Sequence, residues 1–103
     1  MKLSLGYITF PTKAEAKNII LALLDEGLIA CANIIPGAES YYWWEGQVQS
    51  ANEVVAIVKT RAANEEKIIR LVKELHSYEC PCVVFTSLDY GNPDFLKWVD
   101  ENC

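Results

Sequence analysis

Apolar and polar positions in the first third of the chain predict one strand followed by one helix. Residues 3–10 are rich in apolar and aromatic types and predict a strand, which Pro11 ends. Thr12, with Glu15 three residues later, forms a capping box for a helix that Gly27 is suited to end. The apolar stripe of this helix follows the spacing of an amphipathic helix and comprises Ala16, Ile19, Ile20, Leu23 and Leu24.

The middle of the chain predicts a long hairpin. A second strand runs from about residue 29 to residue 44 and is kinked near Pro36-Gly37. Glu45-Gly46 supplies the turn into a third strand, whose apolar pattern is strongest over residues 54–60. These two strands are therefore expected to be neighbours in the sheet.

The C-terminal third predicts two helices with one strand between them. Asn64 is suited to cap a second helix, whose apolar stripe comprises Ile68, Leu71, Val72 and Leu75. Residues 82–88 predict the fourth strand. Asn92-Pro93 then begins a short third helix, because proline is favoured at the first helical position. Its buried stripe is expected to be Phe95, Trp98 and Val99.

The resulting order of elements is β-α-β-β-α-β-α, in a single domain that spans residues 1–103. The first six elements predict the α+β class and the ferredoxin-like fold. That fold is a two-layer sandwich, in which a four-stranded antiparallel sheet carries two helices on one face. Here it gains an extended hairpin between the second and third strands and a short C-terminal helix.

The apolar residues of the strands load both faces of this sheet. Neighbouring residues on a strand point to opposite faces, so Tyr41 and Trp43 share one face while Tyr42 and Trp44 share the other. Two helices cover only one face, and so large an aromatic area is not stably left in water. We therefore predict a homo-oligomer in which these four residues form the interface; the alternative is that kinks and the third helix cover them within one chain.

Charge and composition narrow the range of partners. Lys and Arg number 9 against 14 Asp and Glu, a net charge of −5, so the basic footprint of a nucleic-acid-binding protein is absent. No apolar run reaches the length of a membrane span, and the N-terminus does not have the pattern of a signal peptide. We expect a cytoplasmic protein with reduced cysteines and with no nucleic-acid or membrane partner.

Five blocks of the chain resemble the CutA family of divalent-cation-tolerance proteins. They are residues 30–37 (ACANIIPG), 40–46 (SYYWWEG), 58–61 (VKTR), 76–81 (HSYECP) and 91–98 (GNPDFLKW). The resemblance implies a ferredoxin-like subunit packed as a tight homotrimer, with the long hairpins contributing to sheets between subunits. It also implies a cytoplasmic role in tolerance of divalent metals, especially copper, without a settled biochemical mechanism.

His76, Cys80 and Cys82 form the best candidate metal site. In an extended segment the two cysteines point to one face, and thiolate with imidazole suits copper(I) or zinc. By resemblance, His76 matches a family histidine proposed to bind copper. The chain departs from the family pattern elsewhere: Ile8 or a neighbour replaces a strand cysteine, Leu75 replaces a second histidine, and Cys82 replaces a glutamate. The alternative interpretation is that the cysteines are small buried apolar residues and His76 interacts with the helix dipole.

A second candidate site consists of polar residues at strand and helix ends: Glu45, Lys59, Arg61, Tyr78 and Glu79. In trimers of this fold such residues can lie in clefts between subunits, where small ligands bind. The alternative is that they are solvated surface residues or bond between subunits.

The sequence offers little for catalysis. It has one histidine, no nucleophile elbow and no glycine-rich phosphate loop, so we expect no enzyme activity. The favoured hypothesis is a trimeric protein of metal homeostasis that binds copper or another divalent ion. Its alternatives are a small-ligand signalling sensor that uses clefts between subunits, and a stable trimeric scaffold for protein interactions.

Overall fold

Four strands and three α-helices follow the predicted order in a computed structural model that describes residues 1–103. A 3₁₀ turn at Ala62–Asn64 precedes the second helix. The elements are β1 (Leu3–Phe10), α1 (Lys13–Asp25), β2 (Cys31–Trp44), β3 (Gln47–Arg61), α2 (Glu65–Leu75), β4 (Val83–Ser87) and α3 (Pro93–Glu101).

The strands form one antiparallel sheet in the order β2-β3-β1-β4. Residues of β1 and β3 that are paired across the sheet, Ile8 with Ala56 and Phe10 with Val54, point to the same face. This face packs against α1 and α2. The core comprises Ile8, Phe10, Ala16, Ile19, Ile20, Leu23, Ile29, Val54, Ala56, Val58, Ile68 and Val72. The predicted ferredoxin-like sandwich is therefore confirmed.

The two predicted helix caps have different outcomes. Thr12 Oγ1 accepts a hydrogen bond from the Glu15 N–H at 3.2 Å, which confirms the start of α1. Asn64 does not cap α2. Its side-chain amide instead donates to the Leu28 carbonyl at 3.2 Å and to Thr60 Oγ1 at 3.3 Å. Asn64 therefore connects the start of α2 to the residue Leu28 before β2 and to Thr60 in β3. The first turn of α2 is preceded by the 3₁₀ turn and has no side-chain cap.

The β2–β3 hairpin is longer than the rest of the sheet, and its outer part projects from it. We call residues 41–50 the hairpin arm; every one of them is exposed. The turn holds Glu45 at φ 51° and Gly46 at φ 77°, as in two-residue type I′ hairpins. A bulge lies at the predicted kink, where the pairing register shifts between Ile35 and Ala38.

The predicted stripe of α3 is only partly buried. Val99 is inaccessible, but Phe95 and Trp98 are 37% and 42% exposed. Their rings stack on each other with centroids 5.7 Å apart. The helix packs against β1 and β3 through its Val99 side, so the expectation that Phe95 and Trp98 are buried is wrong for the single subunit.

Candidate functional site

A cleft of about 480 Å³ lies between the outer part of β2, up to Trp44, and the segment between α2 and β4. We call it the aromatic cleft. It is lined by Thr9, Ser40, Tyr41, Tyr42, Trp44, Glu53, Tyr78, Glu79, Cys80 and Cys82. It thus brings together residues that were predicted separately as interface, small-ligand and metal residues.

The pairing register explains which hairpin residues reach the cleft. Beyond the bulge, Ala38 pairs with Glu53, and the ladder continues through Tyr42 with Gln49 to Trp44 with Gln47. Directly paired residues point to the same face. Tyr42 and Trp44 therefore share the face of Glu53, and all three line the cleft.

Tyr78 and Glu53 form the polar centre of the cleft. The Tyr78 hydroxyl donates a hydrogen bond to Glu53 Oε2 at 2.8 Å. Burial, with the Glu53 carboxylate as the next cause, raises the pKa of Tyr78 to about 12. Tyr78 is therefore a neutral hydrogen-bond donor at neutral pH, and it holds the Glu53 carboxylate in place.

His76 lies behind this centre and does not line the cleft. Its side chain is buried, and its ring stacks on Phe10 at 5.2 Å and lies against Tyr78 at 4.8 Å between centroids. Nε2 is 2.8 Å from the carbonyl oxygen of Thr9, which can only accept a hydrogen bond. Nδ1 is 3.0 Å from the backbone nitrogen of Tyr78, which can only donate. The neutral tautomer with hydrogen on Nε2 satisfies both contacts.

A carboxylate also approaches this histidine, with Glu15 Oε2 3.3 Å from Nδ1. An Nδ1 that accepts from the Tyr78 N–H has no hydrogen to give to Glu15, so we assign no ion pair here. Glu15 is satisfied elsewhere, because both the N–H and the hydroxyl of Ser77 donate to it at 3.0 Å. His76 and Glu15 therefore fix the start of the segment that carries Tyr78.

Cys80 and Cys82 both line the cleft, whereas His76 keeps both ring nitrogens inside the subunit. Burial, with the Glu53 carboxylate as a smaller cause, raises the pKa of the Cys82 thiol. Cys82 is therefore a protonated thiol at neutral pH. All four cysteines are unpaired, and the subunit holds no group of three or more His, Cys, Asp or Glu arranged to hold a metal ion. The metal role of His76, Cys80 and Cys82 stays a prediction.

The predicted small-ligand set is divided. Tyr78 and Glu79 line the cleft, but the other three residues lie elsewhere. Lys59 Nζ donates to Asn33 Oδ1 at 2.6 Å, and Arg61 Nε lies 3.2 Å from Asp100 Oδ1. Glu45 occupies the hairpin turn.

Sequence reasoning missed Thr9, Ser40 and Glu53 as lining residues. Thr9 and Ser40 resemble any polar strand residue. The only signal for Glu53 in the sequence is that a charged residue stands immediately before the apolar run that starts at Val54. The register across the bulge puts Tyr42 and Trp44 on the face of Glu53, and the apolar pattern does not give that register.

The fold and this long hairpin define a class of ferredoxin-like proteins with an extended, aromatic β2–β3 arm. A family model described as CutA1 divalent ion tolerance protein matches residues 4–102. The chain belongs to the CutA family of divalent-cation tolerance proteins.

Individual relatives agree with this assignment. The divalent-cation tolerance protein CutA of Archaeoglobus fulgidus is 42% identical over 95 residues, which cover 92% of each chain. The solved structure of the Thermus thermophilus divalent cation tolerance protein superposes with a TM-score of 0.94 at 38% identity and covers 97% of each chain. Protein CutA 1 of Oryza sativa, described as chloroplastic, is 40% identical over 93 residues, which are 90% of this chain and 52% of that protein.

The expectation of a cytoplasmic protein is wrong. The solved Archaeoglobus fulgidus relative is described as periplasmic; it superposes with a TM-score of 0.93 at 40% identity and covers 97% of each chain. The rice relative is described as chloroplastic. The expectation failed because net charge and hydropathy describe a folded domain in water, and such a domain exists in each of these compartments. None of the helices is long and apolar enough to cross a bilayer.

Proposed function

We propose that the protein is a homotrimer that contributes to divalent-metal tolerance by binding the metal ion at the aromatic cleft. The observation that carries this proposal is that Cys80 and Cys82, two residues apart, both line one cleft; a third donor is not in place within the subunit. The family of divalent-cation tolerance proteins supports the same role. The family is not known for enzymatic activity, and we assign none.

The donor set favours copper, held in its reduced monovalent state as copper(I), over harder divalent cations. Thiolates are soft ligands that suit copper(I), and Cys80 and Cys82 present two of them. Because the pKa of Cys82 is raised, metal binding must release a proton from it, and the affinity is expected to rise with pH. His76 would join the site only by giving up its hydrogen bond to Tyr78 or to Thr9.

The test of metal binding is a copper(I) titration of the reduced protein against a competing chromophoric chelator. We expect about one equivalent per subunit, because one subunit has one pair of cleft thiols. Cys80→Ser with Cys82→Ser is expected to abolish competition. Cys31→Ser with Cys103→Ser is the matched control, because neither residue lines the cleft. Equal affinity in the two double variants would contradict the proposed site.

The trimer is supported by the hairpin arm. Trp43 is 74% exposed in the subunit, and Tyr41, Tyr42 and Trp44 are exposed beside it. Burying one such side chain against a partner contributes about 1.5–3 kcal/mol. Light scattering at micromolar concentration is expected to give three times the mass of the chain, and a monomer would contradict the proposal.

A second candidate function is favoured by the size and walls of the cleft. Its volume of about 480 Å³ lies in the range of small-molecule sites, and Tyr42, Trp44 and Tyr78 are aromatic residues of its lining. This arrangement supports a role as a small-ligand sensor within the same trimer. If neither metal nor small ligand binds, the exposed arm supports the remaining alternative, a scaffold for protein interactions.

A further inference from the structure

The segment that carries the two cleft thiols, residues 77–82, is held at both of its ends. Its first residue, Ser77, donates its N–H and its hydroxyl to Glu15 Oε2, each at 3.0 Å. Its last residue is followed by Val83, which pairs with Ile8 of β1. The path of the backbone between these two ends sets the separation of the thiols.

His76 adds a third connection, which joins the middle of this segment to β1. Its Nε2 donates to the carbonyl oxygen of Thr9 at 2.8 Å, and its Nδ1 accepts from the N–H of Tyr78 at 3.0 Å. Thr9 and Tyr78 both line the aromatic cleft, whereas the imidazole lies behind them. One side chain therefore connects two walls of the cleft from inside the subunit.

Neither ring nitrogen of His76 is free for a metal ion. A histidine that binds a metal commonly donates one N–H to a carbonyl and keeps the other nitrogen for the metal, but here the second nitrogen accepts from Tyr78. Its side chain is fully buried and stacks on Phe10, so a metal ion at either nitrogen would leave a buried backbone group of Thr9 or Tyr78 unpaired. All of these contacts lie within one subunit, so they do not depend on which surfaces another subunit covers.

We propose that His76 is a positioning residue of the metal site and not one of its ligands. By joining Thr9 to Tyr78 it fixes the spacing of the Cys80 and Cys82 thiols before the metal arrives. Groups that are already in place lose little conformational entropy on binding, and residues that orient ligands typically contribute about 10–100-fold to metal affinity. This inference rests on the proposed copper(I) site and names a residue outside the ligand set on which its affinity depends.

The first experiment follows the ring nitrogens of His76 by long-range ¹H–¹⁵N correlation NMR. The reduced full chain, in its native assembly, is measured before and after addition of copper(I), which is diamagnetic and leaves the signals visible. His76 is the only histidine of the chain, so the ring signals are assigned without substitutions. We expect the tautomer with hydrogen on Nε2 to persist in the loaded protein. A ring nitrogen that moves to the position of a metal-bound nitrogen would overturn the positioning role.

A pair of variants separates positioning from ligation. His76→Asn retains an acceptor for the N–H of Tyr78, because asparagine commonly accepts from the backbone two residues further on. His76→Phe retains a ring that can stack on Phe10 but removes both hydrogen bonds. We expect the copper(I) affinity of His76→Asn to stay within about threefold of the wild type and that of His76→Phe to fall about tenfold or more. Neither variant has an imidazole, so equal large losses in both would indicate a lost ligand and overturn the proposal.

The outcomes distinguish this inference from the metal proposal itself. If the wild type fails to compete for copper(I), both are overturned. If the wild type competes and His76→Phe binds copper(I) equally tightly, only the positioning role is overturned. Circular dichroism checks that each variant is folded. Where His76→Phe is not folded, the ring-nitrogen measurement on the wild type decides, because it needs no substitution.

Discussion

The two halves of β3 differ in what stabilises them, although they form one continuous strand. Val54 to Thr60 lies between β1 and β2, and five of these seven residues are buried. The half that starts at Gln47 pairs with β2 alone and belongs to the exposed hairpin arm. The inner half is therefore stabilised by the core of its own subunit.

The outer half has no such support within the subunit. Its neighbours across the hairpin are aromatic. Their apolar area contributes to stability only when another surface covers it. One strand therefore contributes to two processes: its inner half stabilises the folded subunit, and its outer half is available for assembly. Substitutions in the two regions should consequently fail in different ways.

The largest effect is expected for Phe10→Ala in the core. Phe10 is fully buried and stacks on His76, so the truncation should lower the free energy of unfolding by about 3–5 kcal/mol. Chemical denaturation measures the change. Trp43→Ala is its counterpart on the arm, and its effect should depend on protein concentration because it acts on assembly. If Trp43→Ala lowered the free energy of unfolding equally at all protein concentrations, the two regions would not differ in the way described.

Two glycines sharpen the comparison, and the one in the sheet has the larger expected effect. A Cβ at Gly6 would lie 2.6 Å from Val58 Cγ2 and 2.8 Å from Phe85 Cε1. Gly6→Ala should therefore cost about 1–3 kcal/mol of unfolding free energy through overpacking. Because Val58 is a core residue, Val58→Ala is destabilising by itself, but the double variant Gly6→Ala with Val58→Ala should lose less than the sum of the two single losses in the same denaturation experiment. Additive losses would show that the clash with Val58 is not the cause.

Gly46 in the hairpin arm has open space around it but an unfavourable backbone for other residues. A Cβ there would meet nothing within 4 Å, yet φ is +77°. Gly46→Ala should cost about 1 kcal/mol for this reason alone. Glu45→Asn is the control, because asparagine is favoured at the first position of this turn and should not destabilise the protein. Thermal unfolding at fixed protein concentration measures both, and an unchanged midpoint for Gly46→Ala would contradict the assigned turn.

The smallest effect is expected from the ionisation of Tyr78, at the boundary between the two regions. Its pKa is raised from an ordinary value of 10.0 to about 12, so its contribution to stability is complete below pH 10 and is lost as pH rises towards 12. The hydrogen bond to Glu39 also raises the pKa of Tyr41, so the phenolate absorbance step of Tyr78 near pH 12 is identified as the one that Tyr78→Phe removes. Glu53→Gln should move that step to lower pH, because it removes the neighbouring negative charge. A step that does not move would exclude Glu53 as a cause of the raised pKa.

The order of elements could be predicted because each element carries its own local signal. The stripe of α1 predicts its buried face correctly at Ala16, Ile19, Ile20 and Leu23, whereas its fifth predicted member, Leu24, is exposed. The turn at Glu45-Gly46 and the kink at Pro36-Gly37 are confirmed in the same way. Asn64 misled because its amide binds Leu28, more than thirty residues away, and no local pattern reports such a contact.

The site was harder to predict because it is assembled from distant parts of the chain. Cys80, Tyr78 and the arm aromatics were each singled out, but as members of three different sites. What joins them is Glu53: the register of β2 against β3 puts Tyr42 and Trp44 on its face, and its carboxylate accepts a hydrogen bond from Tyr78. His76 was assigned to metal by its chemistry, whereas its two hydrogen bonds became visible only with the backbone of Thr9 and Tyr78 in place.

The bulge in β2 decides which aromatic pair faces the cleft. Three steps along β2, from Ile35 to Ala38, match two steps along β3, and the extra step inverts the alternation of side chains beyond it. If the same residues paired without the bulge, Tyr41 would take the place of Tyr42 on the face of Glu53. The hairpin could then no longer close with a two-residue turn. The side chains that face the cleft thus depend on the one extra residue in β2 as much as on which residue types the hairpin contains.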